Sequence, residues 1–246
     1  MKEFLVIFSA SSTFAILGLG FLLGLKHATE ADHLAAVSTM VSTRRSLWSS
    51  ALVGGMWGLG HTIALFAAGV FVLLLNFQIS ETLERRLEFA VGIMLTLLGL
   101  NVIRKILGGG QLHFHSHGHG ERVHAHPHTH EREAAHAPEE AHVSGNSPRA
   151  LLIGLVHGLA GSAALMLLII PTIPSRVVGL AYIIVFGVGS IGGMMLMSFL
   201  VGLPFRLTAR RLTRLNNLMQ FVAGMVSILI GLSIVYEKGV SEGLFA

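Results

Sequence analysis

Long runs of apolar residues, separated by short polar connections, dominate the chain. A helix needs about 20 mostly apolar residues to span a bilayer. Runs of this length predict six spans, at about 15–41, 48–75, 87–106, 149–171, 178–203 and 216–236. Only the segment 107–147 is long enough to be more than a connection. The pattern therefore predicts an all-α membrane protein with six transmembrane helices.

Composition supports the same class. Hydrophobic residues make up 52% of the 246 residues and charged residues only 12%, whereas a soluble domain carries about 25% charged residues. The net charge of +4 does not indicate nucleic acid as a partner. Lys and Arg stand singly or in pairs at span ends, where they meet lipid headgroups. The absence of cysteine excludes disulfides, thiolate metal sites and thiol redox chemistry.

The chain repeats itself at an offset near 130 residues. Three collinear matches define the repeat: GLKHA at 24–28 with GLVHG at 154–158, GLGH at 58–61 with GVGS at 187–190, and Phe, Gly and Leu positions of 89–100 with those of 221–232. Because each copy has an odd number of spans, the second must enter the membrane from the opposite side. Such inverted repeats are typical of transporters. We predict two inverted three-helix repeats, 1–106 and 148–246, joined by a disordered histidine-rich loop at 107–147.

The first predicted span contains a cluster of ionisable residues. Its members are Lys26, His27, Glu30, Asp32 and His33. A charge at mid-bilayer costs about 2.5–3.5 kcal/mol on insertion scales, so such residues face protein or water and indicate function. His61 in the second span and His157 in the fourth fall at the same depth. One buried histidine is well explained by hydrogen bonding between helices, but four beside two carboxylates indicate ligands for nickel, cobalt or zinc.

Helix geometry limits how these ligands can meet. On a straight helix His27, Glu30 and His33 share one face, while Asp32 points well away. His27 and His33 would stand roughly 9 Å apart along the axis. Either the helix breaks near 24–28, or the stripe forms successive stations along a pathway. We favour the break, because broken helices mark binding sites in inverted-repeat transporters.

The segment HATEADH at 27–33, with its His-x4-Asp-His spacing, resembles the signature of the nickel/cobalt transporter family. Gly58–Thr62 is similar to that family's next conserved stretch, and the six-span form with Phe186–Ser190 resembles its urease-accessory membrane-protein branch. Two departures are Glu30 in place of the usual aspartate and Ser38–Thr39 in place of an Asp-Asn pair. The resemblance implies that the metal-selecting residues are His27, Asp32, His33 and His61.

The predicted site follows from the cluster, the repeat and the resemblance together. Its metal ligands are His27, Glu30, Asp32, His33, His61 and His157. Ser162 and Ser190 stand in the second copy where Asp32 and His61 stand in the first, and we predict that both line the pathway. Glycine faces on the second and fifth spans predict close helix packing that brings His61 near the first span.

The 107–147 segment holds ten of the fourteen histidines. Eight stand in two alternating runs, namely His113, His115, His117, His119, His124, His126, His128 and His130. An extended chain with this alternation places imidazoles on one side, ready to chelate a divalent ion. We predict an accessory metal-binding loop that is disordered without metal; a solvated linker is the alternative.

These observations predict secondary transport of Ni²⁺ or Co²⁺, in the direction of uptake, by a protein that is not an enzyme and holds no prosthetic group. Metal efflux, export of small anions or amino acids, and a zinc-dependent membrane hydrolase stay open as alternatives. Expected partners are membrane lipid, divalent metal ions and cytoplasmic metallochaperones.

Basic residues near span ends predict the orientation of the chain. Nine lie on the side of the 107–147 loop and five on the side of the termini. Because such residues are retained in the cytoplasm, we predict a multi-pass protein of the plasma (inner) membrane with the histidine loop inside and both termini outside.

Overall fold

A computed structural model describes residues 2–44, 46–75, 80–108, 113–119, 122–128, 147–160, 175–209 and 212–244. Its elements in chain order are α1 (Lys2–His27), α2 (Ala31–Val41), α3 (Leu47–Leu75), α4 (Glu81–Leu107), β1 (His113–His119), β2 (Arg122–His128), α5 (Ser147–Gly158), α6 (Arg176–Ala209) and α7 (Thr213–Tyr236), and a π-helical turn (Glu237–Ser241) follows α7.

Within the described residues, four helices are long and apolar enough to cross a membrane. They are Leu47–Leu73, Glu81–Leu107, Arg176–Ala209 and Thr213–Ser241. The pair Thr13–His27 and Ala31–Val41 passes the same test as one bent span, which makes five. The protein is therefore an integral membrane protein whose spans are helical. The predicted fourth span is described only as far as residue 160, so the six-span count stays a prediction.

α4 and α6 are among the helices that extend beyond the bounds that hydropathy predicts. α4 begins at Glu81 rather than near residue 87, because Ser80 caps it and accepts a backbone N–H of the first turn at 3.3 Å. Glu81 and Glu84 in that turn also complement the positive end of the helix. α6 continues through Pro204 to Ala209. Hydropathy missed the start of α4 because most of its residues are charged, and it missed the end of α6 because Pro204 and Arg206 interrupt the apolar run.

The first predicted span breaks directly after His27. α1 ends at His27, α2 begins at Ala31, and the two helices are bent by 55°. In the turn between them the Thr29 hydroxyl donates to the Lys26 carbonyl at 2.6 Å. Glu30 has extended backbone angles at the N-cap of α2. The expected break near 24–28 is present, with the non-helical residues at 28–30.

Helix packing pairs elements across the two predicted copies. α3 packs against α6 and α4 against α7, while α1 lies on α6 and α5 lies on α3. A Cβ atom at Gly24 would collide with the Phe186 carbonyl, and one at Gly154 would collide with the Trp57 carbonyl. Small residues allow membrane helices this close backbone approach. The contact of Gly154 also presses α5 onto α3 one turn from His61.

The predicted glycine faces of the second and fifth spans are partly confirmed. A Cβ atom at Gly58 would lie 2.9 Å from the Ile191 backbone, and one at Gly189 would collide with the Phe21 carbonyl. Gly192 is different, since no atom lies within 4 Å of a Cβ atom built there. Most of these glycines therefore serve packing, as expected.

The described parts of the histidine-rich segment form an antiparallel pair of strands. β1 and β2 pair with His113 opposite His128, His115 opposite His126 and His117 opposite His124. The sequence predicts a segment that is disordered without metal, so the hairpin differs from that prediction. It arises because alternating residues on two extended strands can pair in register. His130 and the rest of the loop lie outside the described residues.

Candidate metal centre

Four histidines from four helices meet in the interior of the protein. His27 ends α1, His33 lies in the first turn of α2, His61 lies in α3 and His157 lies near the end of α5. Each is at most 4% exposed. The ring centroids of His27 and His33 are 4.2 Å apart, those of His33 and His157 are 4.3 Å apart, and those of His27 and His61 are 5.0 Å apart. All the mid-membrane histidines predicted from the sequence thus form one cluster.

The break between α1 and α2 makes this convergence possible. On a continuous helix His27 and His33 would be separated by roughly 9 Å of axial rise. The 55° bend instead changes the direction of α2, so that the two rings are in edge contact with their centroids 4.2 Å apart. The bend also overturns one geometric expectation. Asp32, which would point away on a straight helix, lies beside His33 and His157.

Asp32 binds two of the histidines at once. Its Oδ1 atom lies 2.9 Å from His33 Nδ1 and accepts the His33 backbone N–H at 2.8 Å. Its Oδ2 atom lies 3.0 Å from His157 Nε2. A carboxylate that accepts from one ring nitrogen fixes the tautomer and leaves the other nitrogen free to bind a metal. Asp32 is placed to do this for both rings.

Unpaired ring nitrogens mark where an ion could bind. His33 Nε2, His61 Nδ1 and His157 Nδ1 are buried and have no hydrogen-bond partner among the described residues. Buried polar atoms are normally paired, so unpaired ones in a group indicate a ligand. His27 differs, because its Nδ1 atom is 3.0 Å from a Glu30 carboxylate oxygen and its Nε2 atom is 3.1 Å from His61 Nε2.

Two overlapping ligand sets emerge from these positions. His27, His33 and His61 form one set, and Asp32, His33 and His157 form the other. In each set the potential ligand atoms lie within 4.8 Å of one another. His33 belongs to both. Imidazole nitrogens with a carboxylate oxygen suit nickel, cobalt and zinc, so the centre can hold such an ion in either set.

Aromatic rings close the centre on two sides, and sequence reasoning missed both. The Trp57 ring centroid lies 5.3 Å from that of His33 and 5.6 Å from that of His157. The Phe186 ring centroid lies 5.7 Å from that of His27. A signal was available, because the two rings stand at matching positions of the repeat, 129 residues apart. These rings exclude water and strengthen electrostatic contacts inside the centre.

A cavity of about 290 Å³ leads from the centre to the end of the molecule that carries the α4 start and the α7 end. Glu30, Asp32, His33 and His157 line its inner part. Its outer part is lined by Glu88, Glu237 and Lys238, which the sequence analysis did not select. Charged residues at span ends look like ordinary interfacial residues, so no sequence signal distinguished these three.

The remaining predicted residues have separate outcomes. Glu30 lies in the centre but is paired with His27 and is 42% exposed. Ser190 is fully buried in α6, and its hydroxyl has no partner within the described residues. Ser162 lies outside the described residues, as do the side chains of the loop histidines.

Comparison with known proteins identifies the family. A family model described as high-affinity nickel-transport protein (NicO) matches residues 13–144, more than half of the chain. The chain belongs to this nickel-transport family. The matched residues include His27, Asp32, His33 and His61, and His157 lies beyond them. Membership makes the protein a membrane transporter and not an enzyme, with nickel as the ion in the family's description.

Relatives of this family member support the assignment over nearly its whole length. A urease accessory protein, UreH, from Bacillus sp. (strain TB-90) is 39% identical over 94% of this chain and 95% of its own. The chloroplast protein FOR GROWTH AND FERTILITY 1 of Arabidopsis thaliana is 29% identical over 88% of this chain and 57% of its own. A second such Arabidopsis protein is 25% identical over 89% and 55%. No solved structure matches the chain.

Proposed function

We propose that this protein carries Ni²⁺, or Co²⁺, across the plasma membrane into the cell through the histidine centre. The observation that carries the proposal is the convergence of His27, His33, His61 and His157 at the break of the first span. Buried ionisable side chains inside a membrane are costly and are retained where they serve a function. The nitrogen-rich ligand set, without a thiolate, suits these borderline divalent ions.

The two overlapping ligand sets support a stepwise passage. The cavity reaches Asp32, His33 and His157 but is not lined by His27 or His61. Asp32, His33 and His157 therefore make an outer station, and His27, His33 and His61 make an inner station. His33 is shared, so an ion can change stations without losing all its protein ligands. We propose that Ser190, which stands at the repeat position of His61, also lines the path.

An inverted repeat of 1–106 and 148–246 supplies the framework of the proposal. In the repeat, α1 corresponds to α5, α3 to α6 and α4 to α7. When each helix is replaced by its counterpart, the α1–α6 contact becomes the α5–α3 contact, and the α3–α6 and α4–α7 contacts are unchanged. The glycine contacts follow the same rule, since Gly24 meets Phe186 as Gly154 meets Trp57. Pseudo-two-fold contacts of this kind support alternating access by rocking of one copy against the other.

The side on which the cavity opens supports uptake as the proposed direction of transport. The cavity opens on the side of the termini, which is the outside in the orientation predicted by the basic residues. Toward the loop side, Val37 and Val41 of α2 are fully buried in an apolar cluster with Leu95 and Val53. Among the described residues, the cavity extends from the centre toward the side of the termini, and apolar packing shields the centre toward the loop side, which supports uptake as the proposed direction.

The histidine loop completes the proposal on the cytoplasmic side. It adjoins α4 and α5 at the end away from the cavity, where it can receive an ion that leaves the centre. Cross-strand register places histidine opposite histidine at three levels of the hairpin. Such a segment buffers imported ions before cytoplasmic metallochaperones collect them.

Uptake of radioactive metal tests the function. Cells expressing the protein should accumulate nickel or cobalt above vector controls, and His33→Ala should return accumulation to the vector level. Ser227→Ala is a matched control, because it removes another buried polar group, a hydroxyl bonded to the Leu95 carbonyl at 2.8 Å. It should transport normally. Accumulation below the vector level would indicate efflux. Accumulation of zinc alone would show that the substrate is zinc rather than nickel or cobalt.

A further inference from the structure

The outer wall of the cavity contains a lysine that no step of the proposed transport uses. Lys238 follows α7 in the π-helical turn Glu237–Ser241, and its side chain is only 18% exposed. Its Nζ atom lies 2.9 Å from a Glu88 carboxylate oxygen, 2.6 Å from one of Glu242 and 3.4 Å from one of Glu237. One ammonium group therefore neutralises carboxylates from two different elements.

Lys238 and Glu88 separate two cavities. They line both the 290 Å³ cavity of the histidine centre and an outer cavity of about 420 Å³. The outer cavity is otherwise lined by Glu81, Glu84, Arg85 and Glu242. In the outer cavity and in the outer part of the inner cavity, carboxylates outnumber basic groups. This end of the molecule therefore attracts cations. An ion that enters from the outer cavity meets the Glu88–Lys238 pair before it meets the histidines.

The Glu88–Lys238 pair is relevant to transport because it lines the 290 Å³ cavity of the histidine centre, the inner of the two cavities. His33, whose Nε2 atom is buried and has no partner in the part of the chain that the structure describes, lines the same cavity as Glu88 and Lys238. The acidic rim is thus continuous with a nitrogen ligand set rather than an isolated surface cluster. The π-helical turn that carries Lys238 is a rare geometry that is frequent at functional sites.

We propose that Lys238 is a tethered cation that closes the entrance, and that a divalent ion enters by exchanging with its ammonium group at Glu88. This inference rests on the proposed transport function and adds an entry step to it. Before entry, the ammonium group pairs with Glu88 and reduces the net negative charge at the entrance of the inner cavity. A divalent ion carries twice the charge, so it competes for Glu88 better than monovalent cations do. Displaced Lys238 keeps its bonds to Glu237 in the same turn and to Glu242 directly after it.

Kinetics of uptake test the exchange. Lys238→Met keeps an unbranched side chain as far as Cε and removes the charged ammonium group, so it should lower the apparent KM for nickel by about three- to tenfold with Vmax unchanged. Glu88→Gln should raise KM, and Lys238→Arg should keep it near the wild-type value. Arg85→Met is the matched control, because Arg85 also anchors Glu242 but lines only the outer cavity. If Lys238→Met and Arg85→Met change KM alike, or neither changes it, the inference is wrong.

Cysteine labelling tests the same step without transport. The chain has no cysteine, so Ile234→Cys places a single thiol in the inner cavity. Adding Lys238→Met should accelerate its modification by a membrane-impermeant cationic thiosulfonate about fivefold or more, and that by an anionic one much less. Equal acceleration of both reagents would indicate unfolding, and no acceleration would exclude a gate; either result overturns the inference. Wild-type protein that accumulates no metal would overturn the transport function instead, whatever the labelling shows.

Discussion

Replacing Asp32 by asparagine keeps the shape of the side chain and changes which histidine nitrogens can bind metal. Oδ1 accepts from two donors, the backbone N–H and the ring of His33. The amide oxygen of asparagine should take this position. The amide NH₂ group then faces His157 Nε2, which must become an acceptor. The proton of His157 moves to Nδ1, and the nitrogen that is unpaired in the wild type is lost as a ligand.

The expected loss of affinity follows from this single lost ligand. Removing a carboxylate that orients a metal-binding histidine typically weakens metal affinity by about 10- to 100-fold. Such a loss corresponds to about 1.4–2.8 kcal/mol of binding free energy. The inner set of His27, His33 and His61 is not rearranged, so binding should be weakened rather than abolished. We expect the nickel Kd of Asp32→Asn protein to rise by one to two orders of magnitude.

Equilibrium binding of radioactive nickel to purified protein in detergent measures this change. The decisive comparison is a double-mutant cycle with His157→Ala. If Asp32 acts by orienting His157, His157→Ala should cost far less in the Asp32→Asn background than in the wild type. Additive losses would refute the orienting role, since they would mean that Asp32 contributes to binding only as a direct ligand and not through His157. Thermal unfolding of each variant without metal controls for loss of structure.

The other predictions concern the ligands, the loop and the topology. His27→Ala and His33→Ala should each reduce nickel uptake at low metal to the vector level while the protein still inserts; near-normal uptake in both would remove these ligands from the site. Deleting residues 113–142 should leave transport intact but alter its apparent affinity or the retention of metal, because the loop lies outside the spans. Complete loss of transport with normal expression would contradict an accessory role. A reporter enzyme that is active only in the cytoplasm should be active when inserted near Gly118 and silent when fused after Ala246, and the reverse pattern would overturn the proposed orientation.

The helix break is the part of the site that sequence reasoning predicted best. Two observations led to this prediction. The repeat places His157, and therefore His27, in the middle of a span. On a straight helix, the axial rise would keep His27 and His33 too far apart to bind one ion. The break lies after His27 because the Thr29 hydroxyl and the Glu30 backbone complete a turn there. Local side-chain bonding of this kind is not visible in hydropathy.

Asp32 and Lys238 show why the rest could not be predicted. The direction of Asp32 depends on the 55° bend, and a helical wheel drawn through the break gives the wrong face. Lys238 stands at the end of the last span, where a basic residue normally contacts headgroups. Its pairing with Glu88 depends on the packing of α7 against α4, which brings together residues 150 positions apart. Sequence spacing carries no sign of such a contact.

In the described residues the helix contacts of the proposed repeat are symmetric, whereas its chemistry is asymmetric. The first copy supplies His27, Asp32, His33 and His61, whereas the second supplies His157 and has Ser190 at the position of His61. The Asp32–His157 bond at 3.0 Å therefore joins the ligand chemistry of the two copies. Rocking of one copy against the other would lengthen this bond and dismantle the outer station. The inner station lies wholly in the first copy, so it would keep its ligands during the motion. Such a motion would transfer the ion inward through His33, which gives the asymmetry a function in setting the direction of passage.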